Sequence, residues 1–336
     1  MPRACVTGLG VYIPSGRISA DEIAQASALP LQVITEKLGL LQKPAADEQD
    51  HPTTMALHAA RRALDESGIH AREIDVVISI TEEYKEYPVW TSGINLAHEL
   101  GAHNAYAFDV GQKCGTGVLA LKLARDLIVA DPHVRTVLVA GGYRNGDLID
   151  YRDPNVRFMY NLAAGAGAAI IQADAPGHEI LGSSIITDGA LSRDVLVPVG
   201  GTKAPITVAT LGDYRLTVTD PAGMKRRLGE CSVRNFLQVI REAVTRSDAA
   251  LSDIAYLALL HMKRSAHKEV LALLDLPPER SIYLEHHGHI GQVDQILSLM
   301  LAREAGRLHH NELAVLVAAG IGYVWNALCL RWHDPA

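Results

Sequence analysis

The sequence predicts an α/β protein made of two pseudo-symmetric halves, and three observations lead there. Short apolar runs alternate with helix-period segments along most of the 336 residues. One series of segments recurs: "IDVVISIT", "AYAFDVGQKCGTGVLALKLARDLIVA" and "VRTVLVAGG" are answered in the same order by "IAYLALLH", "SIYLEHHGHIGQVDQILSLMLAREAG" and "ELAVLVAAGIG". The chain is 48% hydrophobic and 21% charged, enough for one large core or two ordinary ones. The most linker-like stretch, "DAPG" from Asp174 to Gly177, lies near the middle and divides the chain into residues 1–175 and 176–336.

Taken in order, "ACVTGLGVYIP" reads as a strand, and "DEIAQASAL" and "MALHAARRALDESGI" as helices, the second stopped by Gly68. "IDVVISIT" and "RTVLVAGG" are the apolar runs of buried parallel strands. "GVLALKLARDLIVA" is apolar on most faces and predicts a buried helix. "GMKRRLG" is the one basic cluster on a predicted helix, either a solvated face or a contact for an anionic partner.

Composition excludes several function classes. A net charge of -7 and no basic stripe argue against nucleic acid. No window reaches eighteen uncharged apolar residues and the N-terminus lacks signal-peptide regions, so no membrane span and a cytoplasmic location are expected. Cys5, Cys114, Cys231 and Cys329 show no CxxC pairing, which favours reduced thiols. Glu285, His286, His287 and His289 lack a second ligand pair at fixed spacing, so no metal site is expected.

The duplication nominates a site. Cys114 and His289 fall at matching strand-to-helix turns, and Thr81 and His261 close matching strands, which puts Cys114, His261 and His289 at strand C-termini, where open α/β sheets bind ligands. A cysteine at a helix N-terminus is expected to gain thiolate character. Its own amide points to where an oxyanion would form, and the two imidazoles can move protons or hold a second carbonyl. Asp294, one turn past His289, either orients a histidine or caps a helix, and His287 reads as support for its neighbours. A Cys with two His points to thioester chemistry.

"AFDVGQKCGTGVLALKLARDLI", "VRTVLVAGG", "AAGAGAAII" and "VLVAAGIGYVWNALCLRW" resemble the corresponding parts of the ketoacyl synthase III branch of the thiolase superfamily, along nearly the whole chain. The resemblance implies a five-layered αβαβα fold, a homodimer, and an acyl intermediate on Cys114 loaded from a phosphopantetheine thioester of acyl carrier protein or coenzyme A, with no bound cofactor. It places His261, in "HMKR", at the family's "HQAN" histidine, and the second oxyanion amide at Ile321 in Gly320-Ile321-Gly322.

Departures from that family pattern bear on the reaction. The family's Asn after the glycine is His289 here; thiolases carry a histidine at this place and elongating ketoacyl synthases also use Cys with two His, while "GHIGQVDQILSL" looks more like the natural-product acyltransferases that resemble synthase III and pass the acyl group to a hydroxyl, for which His289 would be the general base. The expected activity is therefore acyl transfer from Cys114 to a small-molecule acceptor, with decarboxylative condensation, a non-catalytic partner subunit and thioester hydrolysis as alternatives. Where the family grips coenzyme A with Trp-Ile-x-x-Arg-x-Gly, this chain reads "VITEKLG", leaving Val33 unable to stack and Lys37 as a point charge. Lys37, with Arg226 and Arg227 of the basic cluster, is the expected donor-binding set, and carrier-protein delivery is favoured. "TEEYKEYPVW" stands at the family's acyl pocket, and its polarity hints at a polar or short acyl chain or an acceptor surface.

Overall fold

A computed structural model describes residues 1–333. Residues 334–336, the end of the expected second half, lie outside the described residues. In chain order the strands are β1 (Ala4–Tyr12), β2 (Gly16–Ser19), β3 (Gln42–Ala45), β4 (Val76–Ser79), β5 (Tyr106–Asp109), β6 (Thr136–Tyr143), β7 (Gly165–Ala173), β8 (His178–Thr187), β9 (Val195–Leu196), β10 (Thr217–Val218), β11 (Ile254–Leu259), β12 (Leu313–Gly320) and β13 (Val324–Arg331). The helices are α1 (Ala20–Ser27), α2 (Pro52–Ser67), α3 (Ser92–Leu100), α4 (Thr116–Ala130), α5 (Pro221–Thr245), α6 (Arg264–Leu273) and α7 (Asp294–Glu304).

Nine strands form one sheet in the order β11-β12-β13-β8-β1-β7-β6-β4-β5, and β2/β3 and β9/β10 are small separate pairs. The strands before residue 175 occupy one side of the order and those after it the other. They meet only where Cys5 and Val6 of β1 face Glu179 and His178 of β8. The "DAPG" stretch is thus no flexible linker. It is the short connection from β7 to β8, which flank β1 on opposite sides.

Burial explains the layering. β6 and β4 are buried along their whole length, as their unbroken apolar runs require. α4 and α7 lie in the middle, touching strands from both sides of the sheet order, and Val118, Leu121, Ala124, Ile296 and Leu299 enter the largest apolar cluster. A second cluster packs α2, through Met55, Ala59 and Ala63, on β4, β6 and β7. A third packs α5, through Phe236, Val239 and Ile240, on β11 to β13. Helix, sheet, helix, sheet, helix is the resulting order.

One expected element is absent. "SIYLE" was read as the counterpart of β5, yet residues 281–285 form no strand. Their polar groups are held by side chains and by neighbouring loops: Ser281 Oγ donates to Leu257 O, Tyr256 Oη receives the Ile282 amide, and Glu285 O receives the Leu41 amide at 2.8 Å. A backbone ladder with β11 is therefore replaced. No described helix is long and apolar enough to cross a membrane.

Candidate active site

Cys114 lies in a short 3₁₀ turn, Lys113–Gly115, between β5 and α4. The turn is strained, since Lys113 takes φ +52°, and it is tied down by its own side chains. Thr116 Oγ1 receives the Gln112 amide at 2.7 Å, and Asn326 Nδ2 donates to Gln112 Oε1 at 3.0 Å and Gly115 O at 2.8 Å. Only glycine fits at 117, because a Cβ there would lie 2.2 Å from Gln292 O. This close approach presses the start of α4 against the turn that opens α7. Gln292 in turn donates to Ile80 O at 2.7 Å and Gly142 O at 3.1 Å, drawing the ends of β4 and β6 to the same point.

His289 sits in the bend before α7. Gly288 adopts φ +61° there, and a Cβ would meet Asn161 O at 2.5 Å, so the bend demands glycine. The His289 amide donates to Asn161 O at 2.8 Å, and its carbonyl receives the Ala163 amide at 2.9 Å. The ring is then oriented by Asp294. His289 Nδ1 donates to Asp294 Oδ2 at 2.6 Å, while the same oxygen receives the His261 amide at 2.8 Å and Oδ1 receives the Ile290 amide at 2.7 Å. Asp294 is fully buried and stands at the start of α7, so it orients a histidine and serves the helix end at once.

The Cys114 thiol lies near the His289 ring, close enough that each group shifts the other's proton affinity. Cys114, His289 and Asp294 therefore form one buried line, with Tyr143 beside it at 6.2 Å between ring centroids. Burial works against a charge on His289, but the Asp294 carboxylate and the Cys114 sulfur outweigh it and hold its proton affinity well above the ordinary imidazole value. Thiolate character from the helix terminus alone is not what the site provides. Burial pushes the Cys114 thiol up, and the neighbouring His289 opposes this without reversing it.

His261 is brought next to this line but with its ring committed elsewhere. Its Nδ1 receives Asn161 Nδ2 at 2.8 Å, and its Nε2 donates to Gly39 O at 3.3 Å. Burial lowers it to about 4 despite the pull of Asp294, so it is a neutral imidazole at physiological pH. Both ring nitrogens of His261 thus have partners within the protein, Asn161 and Gly39. His287 is half-buried and held below the usual imidazole range by its burial, with His286 exposed beside it.

At the second oxyanion position, Gly320 lies so close to the nucleophile turn that a Cβ would be 3.0 Å from the Cys114 nitrogen, and Ile321 follows it in the β12–β13 turn. Lys37 is exposed on the π-helical turn Val33–Leu38, whose end, Gly39, contacts His261. Arg226 is exposed on α5. Arg227 departs from the expected donor set: its guanidinium is spent on Asp194 at 2.5 Å and Asp220 at 3.4 Å, which tie the β9–β10 region to α5. No cluster of three or more potential metal-ligating side chains occurs among the described residues, and Cys5, Cys114, Cys231 and Cys329 are free.

Sequence reasoning missed several members of the site. Asn326 was detectable in principle as a lone amide inside the apolar run "YVWNALCL", whereas Gln292 shares "GHIGQVDQILSL" with Gln295 and does not stand out there. Asn161 and Lys43 carry no such signal. Lys43 is buried and donates to Tyr160 O at 2.8 Å and to Leu162 O, fixing the segment that holds His289. Burial brings its ammonium down to about 7.

Comparison with known proteins bears on the family and the fold. Residues 108–189 match the model of 3-oxoacyl-[acyl-carrier-protein] synthase III, and residues 244–332 match the model of its C-terminal part, together just over half of the chain. The β-ketoacyl-[acyl-carrier-protein] synthase III of Ehrlichia canis is 27% identical over 98% of this chain and 100% of its own length. Among solved structures, the 3-oxoacyl-(acyl carrier protein) synthase III of Pseudomonas aeruginosa superposes with a TM-score of 0.85 at 24% identity, covering 99% of each chain. The priming β-ketosynthase of the R1128 polyketide pathway gives 0.86 at 24% identity, covering 99% of this chain and 97% of that one. The layered sheet is thus a thiolase-type α/β fold, and the chain belongs to the ketoacyl-acyl-carrier-protein synthase III family of that superfamily.

Proposed function

We propose that this protein is an acyltransferase that loads an acyl group onto Cys114 from a phosphopantetheine thioester and passes it to a hydroxyl of a small-molecule acceptor. The observation that carries the reading is the position of His289, hydrogen-bonded to Asp294 and lying beside Cys114. An amide at that position could hold a carbonyl but could not take a proton. Here the imidazole can, and Asp294 fixes its tautomer.

In the first half-reaction the Cys114 proton moves to His289 Nε2 as the sulfur attacks the thioester carbonyl. Amides of Cys114 and Ile321 face the developing oxyanion. The tetrahedral intermediate collapses to acyl-Cys114, and the phosphopantetheine thiolate leaves with the proton from His289. In the second half-reaction His289 takes the acceptor hydroxyl proton, the oxygen attacks acyl-Cys114, and the cysteine leaves as thiolate to regain that proton. Lys37 and Arg226, exposed cations, guide the anionic donor, delivered by acyl carrier protein or coenzyme A. The protein works as a homodimer of two-half subunits divided near residue 175.

Decarboxylative condensation with a malonyl thioester is the second reading, favoured by the names of the relatives. Acyl trapping tests the shared step. A labelled acyl thioester should leave acyl mass on the Cys114 peptide, and its absence across a broad donor panel would refute both readings. His289→Asn separates them. Acyl transfer to hydroxyl acceptors should collapse in that variant, whereas carbon dioxide release and a product two carbons longer from the unaltered protein would select condensation.

A further inference from the structure

Acyl transfer as described leaves one buried polar pair beside the nucleophile without a task. Glu82 follows β4 and Asn145 follows β6, adjacent parallel strands whose C-terminal ends open onto Cys114. Both side chains are buried, at 7% and 8% exposure. Asn145 Nδ2 donates to Glu82 Oε2 at 2.8 Å, which fixes the orientation of the amide. Glu82 Oε1 and Asn145 Oδ1 are then left buried with no hydrogen-bond partner. Elsewhere among the described residues the unpartnered buried atoms include amide oxygens, a carboxylate oxygen, a tyrosine hydroxyl and several nitrogens, but only here do two unpartnered acceptors belong to side chains bonded to each other. A buried acceptor without a donor is costly, and two in contact call for a group that enters from outside.

The pair lies beside the Cys114 turn: Gln292, which abuts Gly117 of α4, holds Ile80 O and Gly142 O just before Glu82 and Asn145, and the Glu82 charge is felt at Cys114, His289 and Tyr143. We propose that Glu82 and Asn145 form a subsite that reads a hydroxyl group of the substrate, carried either by the acyl chain or by the acceptor. The choice of hydroxyl follows from the two acceptors. Asn145 Oδ1 can only receive a hydrogen bond, so the ligand group must donate. The Glu82 carboxyl, raised by burial, can hold its own proton and donate in return, which a hydroxyl oxygen accepts and an ammonium cannot. With the Glu82 carboxyl protonated, one hydroxyl satisfies both atoms, accepting from Glu82 Oε1 and donating to Asn145 Oδ1. This inference takes its substrate from the acyl-transfer reading but can be tested apart from it.

Calorimetric titration of Cys114→Ala, which cannot turn over, would use two matched pairs: 3-hydroxybutyryl against butyryl pantetheine thioester, and a hexose against its monodeoxy analogues. A subsite that hydrogen-bonds a hydroxyl should favour the hydroxylated member of one pair by about tenfold or more. The pair that shows the preference identifies the source, acyl chain or acceptor. Asn145→Leu and Glu82→Leu, added to the same background, should each reduce the preference, and one folded variant suffices. Near parity in both pairs, or a preference untouched by these changes, would overturn the proposal. Acyl mass on wild-type Cys114 without any hydroxyl preference would sink the subsite while leaving acyl transfer standing; a preference without acylation would do the reverse.

Discussion

Replacing Asp294 with Asn tests the relay most directly, because the change removes a charge and hardly alters shape. The buried carboxylate accepts three hydrogen bonds: Ile290 N on Oδ1, and His289 Nδ1 with His261 N on Oδ2. An amide can keep its oxygen at one position only. If its nitrogen faces Ile290 N, one buried donor is orphaned, at about 1–3 kcal/mol, and His289 keeps its tautomer but loses the carboxylate that supports the imidazolium. If its nitrogen takes the Oδ2 position, His261 N is orphaned and His289 must accept at Nδ1, leaving Nε2 protonated toward Cys114. The first arrangement weakens a charge-assisted bond worth about 1.5–3 kcal/mol, or roughly 10- to 100-fold in rate. The second is the wrong tautomer, which costs about 10⁴ in a serine-protease triad. Transfer from acyl-Cys114 to an acceptor, followed by mass spectrometry after a single loading, should therefore slow by at least about tenfold, and by up to about 10⁴ if the wrong tautomer prevails. The pH at which transfer reaches half its maximum should also move down, because the carboxylate is what lifts His289. A folded Asp294→Asn protein that transfers within about threefold of wild type would refute the relay.

Three further outcomes follow from the same packing. Asn326→Leu removes two donors to the nucleophile turn and orphans Gln112 Oε1 and Gly115 O, so denaturant unfolding should show a loss of about 2 kcal/mol or more; an unchanged midpoint would mean that the turn holds itself. Gly117→Ala forces a Cβ to 2.2 Å from Gln292 O and should cost about 3 kcal/mol or prevent folding, and a stable, acylatable variant would contradict the close approach of α4 to the α7 turn. His178, His261 and His267 are each held near 4 by burial, below the unfolded value, so the unfolded chain takes up their protons first. Their stabilisation is complete above pH 6.5 and is lost as pH falls toward 4, by up to roughly 3 kcal/mol each, which a thermal-unfolding series over that window would register; a flat profile would disprove it.

The elements that sequence pattern read well are those whose identity depends on burial alone. "TVLVAGGY" and "LAVLVAAG" are strands enclosed on both faces, and the run from Thr116 to Ala130 is a helix packed between the two sides of the nine-stranded sheet, so uninterrupted apolarity suffices to find them. Cys114 and His289 were legible because a duplicated strand-turn-helix pattern aligned them before any contact was known. "SIYLE" failed for a physical reason: its apolar pattern suits a strand, but Tyr256, Ser281 and the 41–42 loop claim its polar groups through side-chain and loop bonds that no periodicity records. The ring partners of His261 were likewise invisible, because Asn161 and Gly39 lie 100 and 222 residues away along the chain. Arg227 shows the opposite error. A charge cluster on a helix looked like a ligand grip, and the tertiary fold spends that guanidinium on Asp194.

Magnitudes explain why a histidine, and not the helix end alone, must serve this nucleophile. A helix N-terminus favours a nearby anion by about 0.3–1 kcal/mol, and by about 2 kcal/mol where partly buried. Removing a charge from water costs several kcal/mol even after the protein relaxes, and Cys114 is 7% exposed, so burial wins and the lone thiol stays protonated. A thiolate here becomes affordable only when an imidazolium forms beside it in the same event, and the imidazolium in turn needs a buried anion. Asp294 is that anion, anchored by two backbone amides that keep it in place whether His289 is charged or neutral. The same reasoning bears on the acceptor step. Once the cysteine is acylated its sulfur carries no charge, and His289, still supported by Asp294, is left with Nε2 facing the thioester and free to take a proton from whatever hydroxyl binds next. For transfer to a hydroxyl, the reading proposed above, an amide at position 289 could not take the acceptor's proton, whereas an imidazole can.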